Sequence, residues 1–259
     1  MVVVGLIASV AVWLWFLRQY DKFEPEPLGA LIKVLILGGF MSIVPVYYLS
    51  DLYSFIPERF YFLNALVVGF NEEFFKLLAT VILIRKMKDF NEPIDAMIYS
   101  MTVALGFAGL ENVLYVSRMG SEILLIRTLM PVPAHLADAA IWGYGLSVYY
   151  FKPKKKGLIA TVLPYYIASS FAHAAYDYPL FTDYISIYST MVVLLIVCVL
   201  AHLSLNELLK DSQFAKFGVC PDCSPVEEVP VEEIVIIKKK KEHFLCNSCG
   251  KIYSNCDDL

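Results

Sequence analysis

Asn71-Glu72-Glu73-Phe74-Phe75-Lys76 sets two adjacent carboxylates and an ammonium inside an apolar run, residues 60–84, that is long enough to cross a bilayer as one helix. Ionisable groups in hydrocarbon cost several kcal/mol each and are kept mostly for work. Glu72 and Lys76, four residues apart, share a helical face and can pair, whereas Glu73 points roughly 100° away from Glu72. The pattern predicts one carboxylate held by the lysine and the other left free for chemistry.

Hydrophobic residues make up 58% of the 259 positions, against about 45–50% in a soluble domain. The chain reads as a polytopic all-α membrane protein embedded in the lipid bilayer. Its net charge of -4 says little about partners, because the charges are unevenly placed, and no long basic stripe points to nucleic acid. The first 17 residues are apolar, with neither a basic leading segment nor a small-residue cleavage motif. They read as a retained first span rather than a removed signal.

Seven segments have about the 17–25 apolar residues that a span requires: 2–18, 28–49, 60–85, 94–117, 133–151, 157–178 and 183–208. Arg18 and Lys22 follow the first, Arg85-Lys86-Met87-Lys88 the third, and Lys152-Pro153-Lys154-Lys155-Lys156 the fifth. Alternate loops are thus rich in cations, which places the N-terminus outside and the C-terminal tail in the cytoplasm. The apolar stretch from Glu122 to Met130 is too short to span and reads as an interfacial or re-entrant helix.

That topology sorts the buried polar groups by depth. Glu111 falls about six residues, roughly 9 Å, from the outer end of the fourth span, and His135 begins the fifth at the same end. His173 and Asp177 share one face near the outer end of the sixth. Glu72 and Glu73 lie about twelve residues in from that side. Four helices therefore aim carboxylates and imidazoles at the outer half of the bundle. Single members have plainer readings: His202 as a helix-to-helix hydrogen-bonding residue, Asp177 as a helix-end carboxylate.

Two chemistries suit such a set. In one, Glu111, His135 and His173 bind Zn²⁺ with an open position, and Glu72 or Glu73 acts as base on the bound water. In the other, a buried carboxylate activates water without metal while the histidines stabilise the oxyanion. Both end in hydrolysis of a peptide bond.

Glu72-Glu73-Phe74-Phe75-Lys76, the Phe107-xxx-Glu111-Asn112 segment, His135 and the His173-xxx-Asp177 segment resemble the four motifs of the PrsW family of intramembrane proteases, within the larger group of CAAX prenyl endopeptidases and bacteriocin-processing (Abi) proteins. Tyr20-Asp21-Lys22-Phe23-Glu24-Pro25-Glu26-Pro27 also resembles the acidic, proline-bearing loop common after the first helix of that family. The likeness covers residues 18–178. It implies site-1-type cleavage of membrane-tethered protein substrates on the extracytoplasmic side. It also implies Glu72 and Glu73 as the water-activating pair, with His135 and His173 as further catalytic or metal-binding groups. Glu111 stands where CAAX-processing relatives commonly have histidine. Lys76 sits one position earlier than the arginine of the EExxxR form and is expected to hold Glu72.

The tail reads as a separate unit, residues 212–259, after a membrane domain over 1–209. Cys220-Pro221-Asp222-Cys223 and Cys246-Asn247-Ser248-Cys249 are two CxxC knuckles with the spacing of a zinc ribbon, so four thiolates would close a structural Zn²⁺ site. Between them Ile234-Val235-Ile236-Ile237 reads as a ribbon strand, followed by the basic run Lys238 to Lys241. Such a ribbon can recognise a cytoplasmic protein partner. Cys198 and Cys256 read as free thiols. Two rival functions use the same residues: a non-catalytic scaffold or bacteriocin-immunity protein working through the ribbon, and a proton-coupled transporter. The latter would more often show inverted repeats.

Overall fold

The computed structural model describes residues 2–21, 24–50, 55–152, 156–182, 187–211, 243–245 and 252–254. Within them the chain forms α1 (Val2–Tyr20), α2 (Leu28–Leu49), α3 (Tyr61–Ile84), α4 (Pro93–Met119), α5 (Leu124–Leu129), α6 (Pro131–Phe151), α7 (Leu158–Asp177) and α8 (Ile187–Lys210). Six described helical segments are long and apolar enough to cross a membrane, the fourth of them running from Ser121 to Phe151. The chain is a multi-pass membrane protein. Helix α3, at 24 residues, matches them in length but carries Glu72, Glu73 and Lys76 in its middle.

Helix starts follow local chemistry. Pro93 occupies the first turn of α4, where its missing N–H is not needed. Glu92 and Asp95 form a capping box around that turn, each side chain accepting the other's backbone N–H. Pro131 opens α6 in the same way. Interior prolines in α2 (Pro45) and α7 (Pro164) interrupt single backbone hydrogen bonds, which neighbouring helices make tolerable in a membrane.

Helix α4 is the axis of the bundle. Its most apolar stretch is 83% buried, and it packs chiefly on α6 and α2, with α1 and α3 beside them. The approach of α2 to α4 is backbone on backbone: a Cβ on Gly106 would fall 2.0 Å from the Leu35 carbonyl oxygen. Only glycine allows that spacing. Val4, Trp15, Phe40, Leu195 and Leu203 on the peripheral helices are exposed, as a lipid-facing surface requires.

The segment read as interfacial is a 3-10 turn, Ser121–Ile123, followed by the six-residue α5 that leads directly into α6. In the tail, β1 (His243–Leu245) and β2 (Ile252–Ser254) pair antiparallel, with Leu245 opposite Ile252. Cys220, Cys223, Cys246 and Cys249, the expected strand over 234–237 and Cys256 lie outside the described residues. Cys198, on α8, is a free thiol.

Candidate active site

The site is assembled where α3, α4, α6 and α7 meet. Gly69 on α3 sets its approach to α7, since a Cβ there would come within 2.8 Å of the Ser170 carbonyl oxygen. One turn further along α3, Glu72 and Glu73 are thereby brought level with His173.

Lys76 is completely buried. Its Nζ donates to Glu72 Oε2 at 3.1 Å, to Glu73 Oε1 at 2.9 Å and to His135 Nδ1 at 3.0 Å, and it lies 4.1 Å from the Phe107 ring centre. The expectation that the lysine holds one carboxylate and leaves the other free is therefore corrected. Residues at i−3 and i−4 both neighbour a helical lysine, and its flexible stem lets one ammonium serve both.

Glu73 is the more enclosed carboxylate, with no exposed surface. Besides Lys76, its Oε1 meets His173 Nδ1 at 2.9 Å, and its Oε2 accepts from Trp142 Nε1 at 2.9 Å and Ser169 Oγ at 3.4 Å. His173 Nδ1 also lies 3.5 Å from Asp138 Oδ2. Its Nε2 lies 3.3 Å from Asp177 Oδ2 and 3.7 Å from Glu72 Oε2. Carboxylates thus flank both ring nitrogens, the arrangement that fixes an imidazole's orientation.

His135 links this cluster to Glu111. An ammonium has only protons to give, so His135 Nδ1 accepts from Lys76 and Nε2 carries the proton, 3.1 Å from Glu111 Oε2. Glu111 is held in turn by Arg127 Nη2 at 2.6 Å, while Arg127 Nε donates to Asn112 Oδ1 at 2.6 Å and the guanidinium stacks 3.7 Å from the Tyr115 ring centre. Arg127 comes from the short α5.

Glu72 and Glu111 line one cavity of about 260 Å³, together with Phe107, Tyr115 and Arg118. Glu73 does not reach it. The structure thus brings together all seven residues read as a site from the sequence, Glu72, Glu73, Lys76, Glu111, His135, His173 and Asp177. Sequence reading missed Asp138, Trp142, Ser169 and Arg127. Asp138 carried a signal, being a carboxylate three residues after His135 within an apolar span.

Among the described residues, donor atoms of Glu72, His135 and His173 lie within 4.8 Å of one another, as do those of Glu73, Asp138 and His173. Two imidazoles and a carboxylate form a donor set suited to zinc-class metals. The compact trio contains Glu72, where the sequence reading had placed Glu111; the latter is instead committed to Arg127.

The family model described as PrsW family intramembrane metalloprotease matches residues 26–203. A protein named Protease PrsW from Clostridioides difficile (strain 630) is 27% identical over 218 residues, 81% of this chain and 91% of that protein. Its namesake from Geobacillus kaustophilus (strain HTA426) is 30% identical over 184 residues, 67% of this chain and 76% of that protein. Another, from Halalkalibacterium halodurans, is 32% identical over 178 residues, 66% and 79% of the two chains. No solved structure matches the chain significantly. Helices built for a bilayer, an acid and imidazole cluster between them, and a match over more than half the length agree: the chain belongs to the PrsW family of intramembrane metalloproteases.

Proposed function

We propose that this chain is an endopeptidase that hydrolyses membrane-tethered proteins near the extracytoplasmic face, with Glu72 and Glu111 as the two carboxylates that meet water and substrate. The observation that carries this reading is that these two, out of five clustered carboxylates, line one cavity. The outward orientation rests on the alternation of cationic loops.

Glu72, His135 and His173 would hold the catalytic metal, for which Lys76 would have to release His135 Nδ1 while Nε2–H keeps Glu111. When bound, it lowers the pKa of water and polarises the scissile carbonyl. Glu111, fixed by Arg127 and His135, takes the proton from the attacking water and returns it to the leaving amine. Glu73 is a positioning residue. Its oxygens are occupied by Lys76, His173, Trp142 and Ser169, so it orients the imidazole and anchors the ammonium. Arg118, exposed and lining the cavity, positions substrate backbone. The metal-independent alternative makes Glu72 the base, favoured by the ammonium of Lys76 already placed beside it.

The test is cleavage of a tethered peptide library by the full chain and by Glu72→Gln, Glu111→Gln and His173→Ala. Cleavage in the variants equal to that of the parent protein rejects the reading. Zinc content then separates the two mechanisms: the metal-dependent one expects Glu72→Gln to lose one equivalent that Cys220→Ser retains. For the tail, residues 212–259, the two CxxC knuckles support a structural zinc site facing the cytoplasm, where it engages a protein partner.

A further inference from the structure

The cavity that Glu72 and Glu111 share has a third charged wall, Arg118. It follows Glu111 by seven residues on α4, two turns on and therefore on the same face, about 10 Å nearer the Met119 end. Two other cations approach the carboxylates, and both are engaged: Lys76 by Glu72 and Glu73, Arg127 by Glu111 and Asn112. Arg118 is exposed, lines the cavity and makes no ion pair among the described residues. Along α4, Leu114 falls between the carboxylate and the guanidinium, and Ile43 and Val46 of α2 and Val68 of α3 complete an aliphatic wall. The cavity thus offers acid at one end, hydrocarbon in the middle and an uncommitted cation at the other.

An extended chain rises about 3.3 Å per residue, so the 10 Å from Glu111 to Arg118 corresponds to about three residues. A planar fork of five N–H donors can serve a backbone carbonyl and still grip a carboxylate bidentately. An acidic side chain placed directly at the cleaved bond would instead face Glu72 and Glu111 and be repelled. We propose that Arg118 is a specificity-determining residue, which takes the carboxylate of a substrate aspartate or glutamate about three residues from the cleaved bond, on the side toward the C-terminal end of α4. The residues between fill the aliphatic wall. This rests on the reading of Glu72 and Glu111 as the carboxylates at the cleaved bond, and it defines the substrate class as a membrane-tethered protein whose apolar segment gives way to an acid just beyond the cut.

Transmembrane peptides carrying one aspartate, asparagine or lysine at successive positions test it, with full-length protein in detergent and the cut located by mass spectrometry. The parent is expected to cleave the aspartate peptide at least about tenfold faster in kcat/KM than its asparagine counterpart, and only when the acid lies two to four residues from the cut on one side. Arg118→Gln should lose that preference, and Arg118→Glu should turn it toward lysine. Binding of the same peptides, read by fluorescence anisotropy in the Glu72→Gln background, should show the same preference and the same reversal. Cleavage that ignores the acid, or a preference that survives Arg118→Gln, overturns the assignment of Arg118 and leaves the hydrolytic reading standing. Arg118-dependent preference in binding, with no cleavage by the parent, supports the acid-binding site and rejects the hydrolytic reading instead.

Discussion

Trp142 Nε1 donates to Glu73 Oε2 at 2.9 Å, a bond from α6 to α3 that closes the face of the carboxylate turned away from Lys76 and His173. Glu73 is thereby gripped on every side, and its neighbour Glu72 is the one turned to the cavity.

Removing that grip separates positioning from fold. Trp142→Phe keeps an aromatic ring but loses the indole N–H and leaves a gap in a fully buried position, so unfolding in micelles is expected at least about 2 kcal/mol easier, the hydrogen bond to a charged group and the gap both contributing. Cleavage should fall while the Michaelis constant stays near its parent value.

Adjacent carboxylates are expected to differ in kind. Glu72→Gln should abolish cleavage, by about 100-fold or more, with the thermal midpoint nearly unchanged. Lys76→Met should instead destabilise by about 3–5 kcal/mol, because it strands two buried carboxylates. Chemical denaturation together with a cleavage assay distinguishes the two outcomes.

Helix spacing sets the reach of His173. Gly69→Ala places a methyl group against the Ser170 carbonyl, costing about 1–3 kcal/mol and pushing α7 from α3. Activity should drop more than about tenfold, as for the loss of a supporting contact at a metal site. A double substitution of Gly69→Ala with Glu73→Gln should cost little more than either alone. Additive losses would place the effect of Gly69 elsewhere.

Arg127→Lys tests the α5 contribution. A lysine cannot hold Glu111 and Asn112 at once as the guanidinium does. The turnover number should fall about 10- to 100-fold, with the acid limb of the pH profile shifted. An unchanged profile would show that Arg127 does not act through Glu111.

Glu26, in the loop between α1 and α2, titrates far from its usual range. Burial pushes its carboxyl up to about 8, with the Tyr99 hydrogen bond working against that and Asp21 adding repulsion. A folded-state value above the unfolded one means that its contribution to stability is full below about pH 4.5. The contribution falls as pH rises toward 8 and is flat beyond. The parent should lose stability over that window relative to Glu26→Gln, measured by thermal unfolding at stepped pH.

Much of this was legible because charge inside an apolar run is rare. The helix around Asn71 to Lys76, the convergence of Glu111, His135, His173 and Asp177, and the helical bundle all follow from hydropathy and spacing. The double engagement of Lys76 was not, since periodicity orients a side chain without fixing where a flexible stem ends. Arg127 was missed for a related reason: it lies in the short stretch read as an interfacial or re-entrant helix, and only the path of α5 shows that its guanidinium reaches Glu111. Trp142 and Ser169 look like ordinary apolar-span residues, and only the packing of α6 and α7 on α3 shows what they touch.

Lys76 and its two carboxylates belong to one helix, so their pairing exists as soon as α3 forms, before any other helix is beside it. The segment enters the bilayer with its own counter-ion, as one net negative charge rather than three separate ones. Membrane insertion of α3 should therefore depend on Lys76, a residue that is completely buried and lines no part of the cavity.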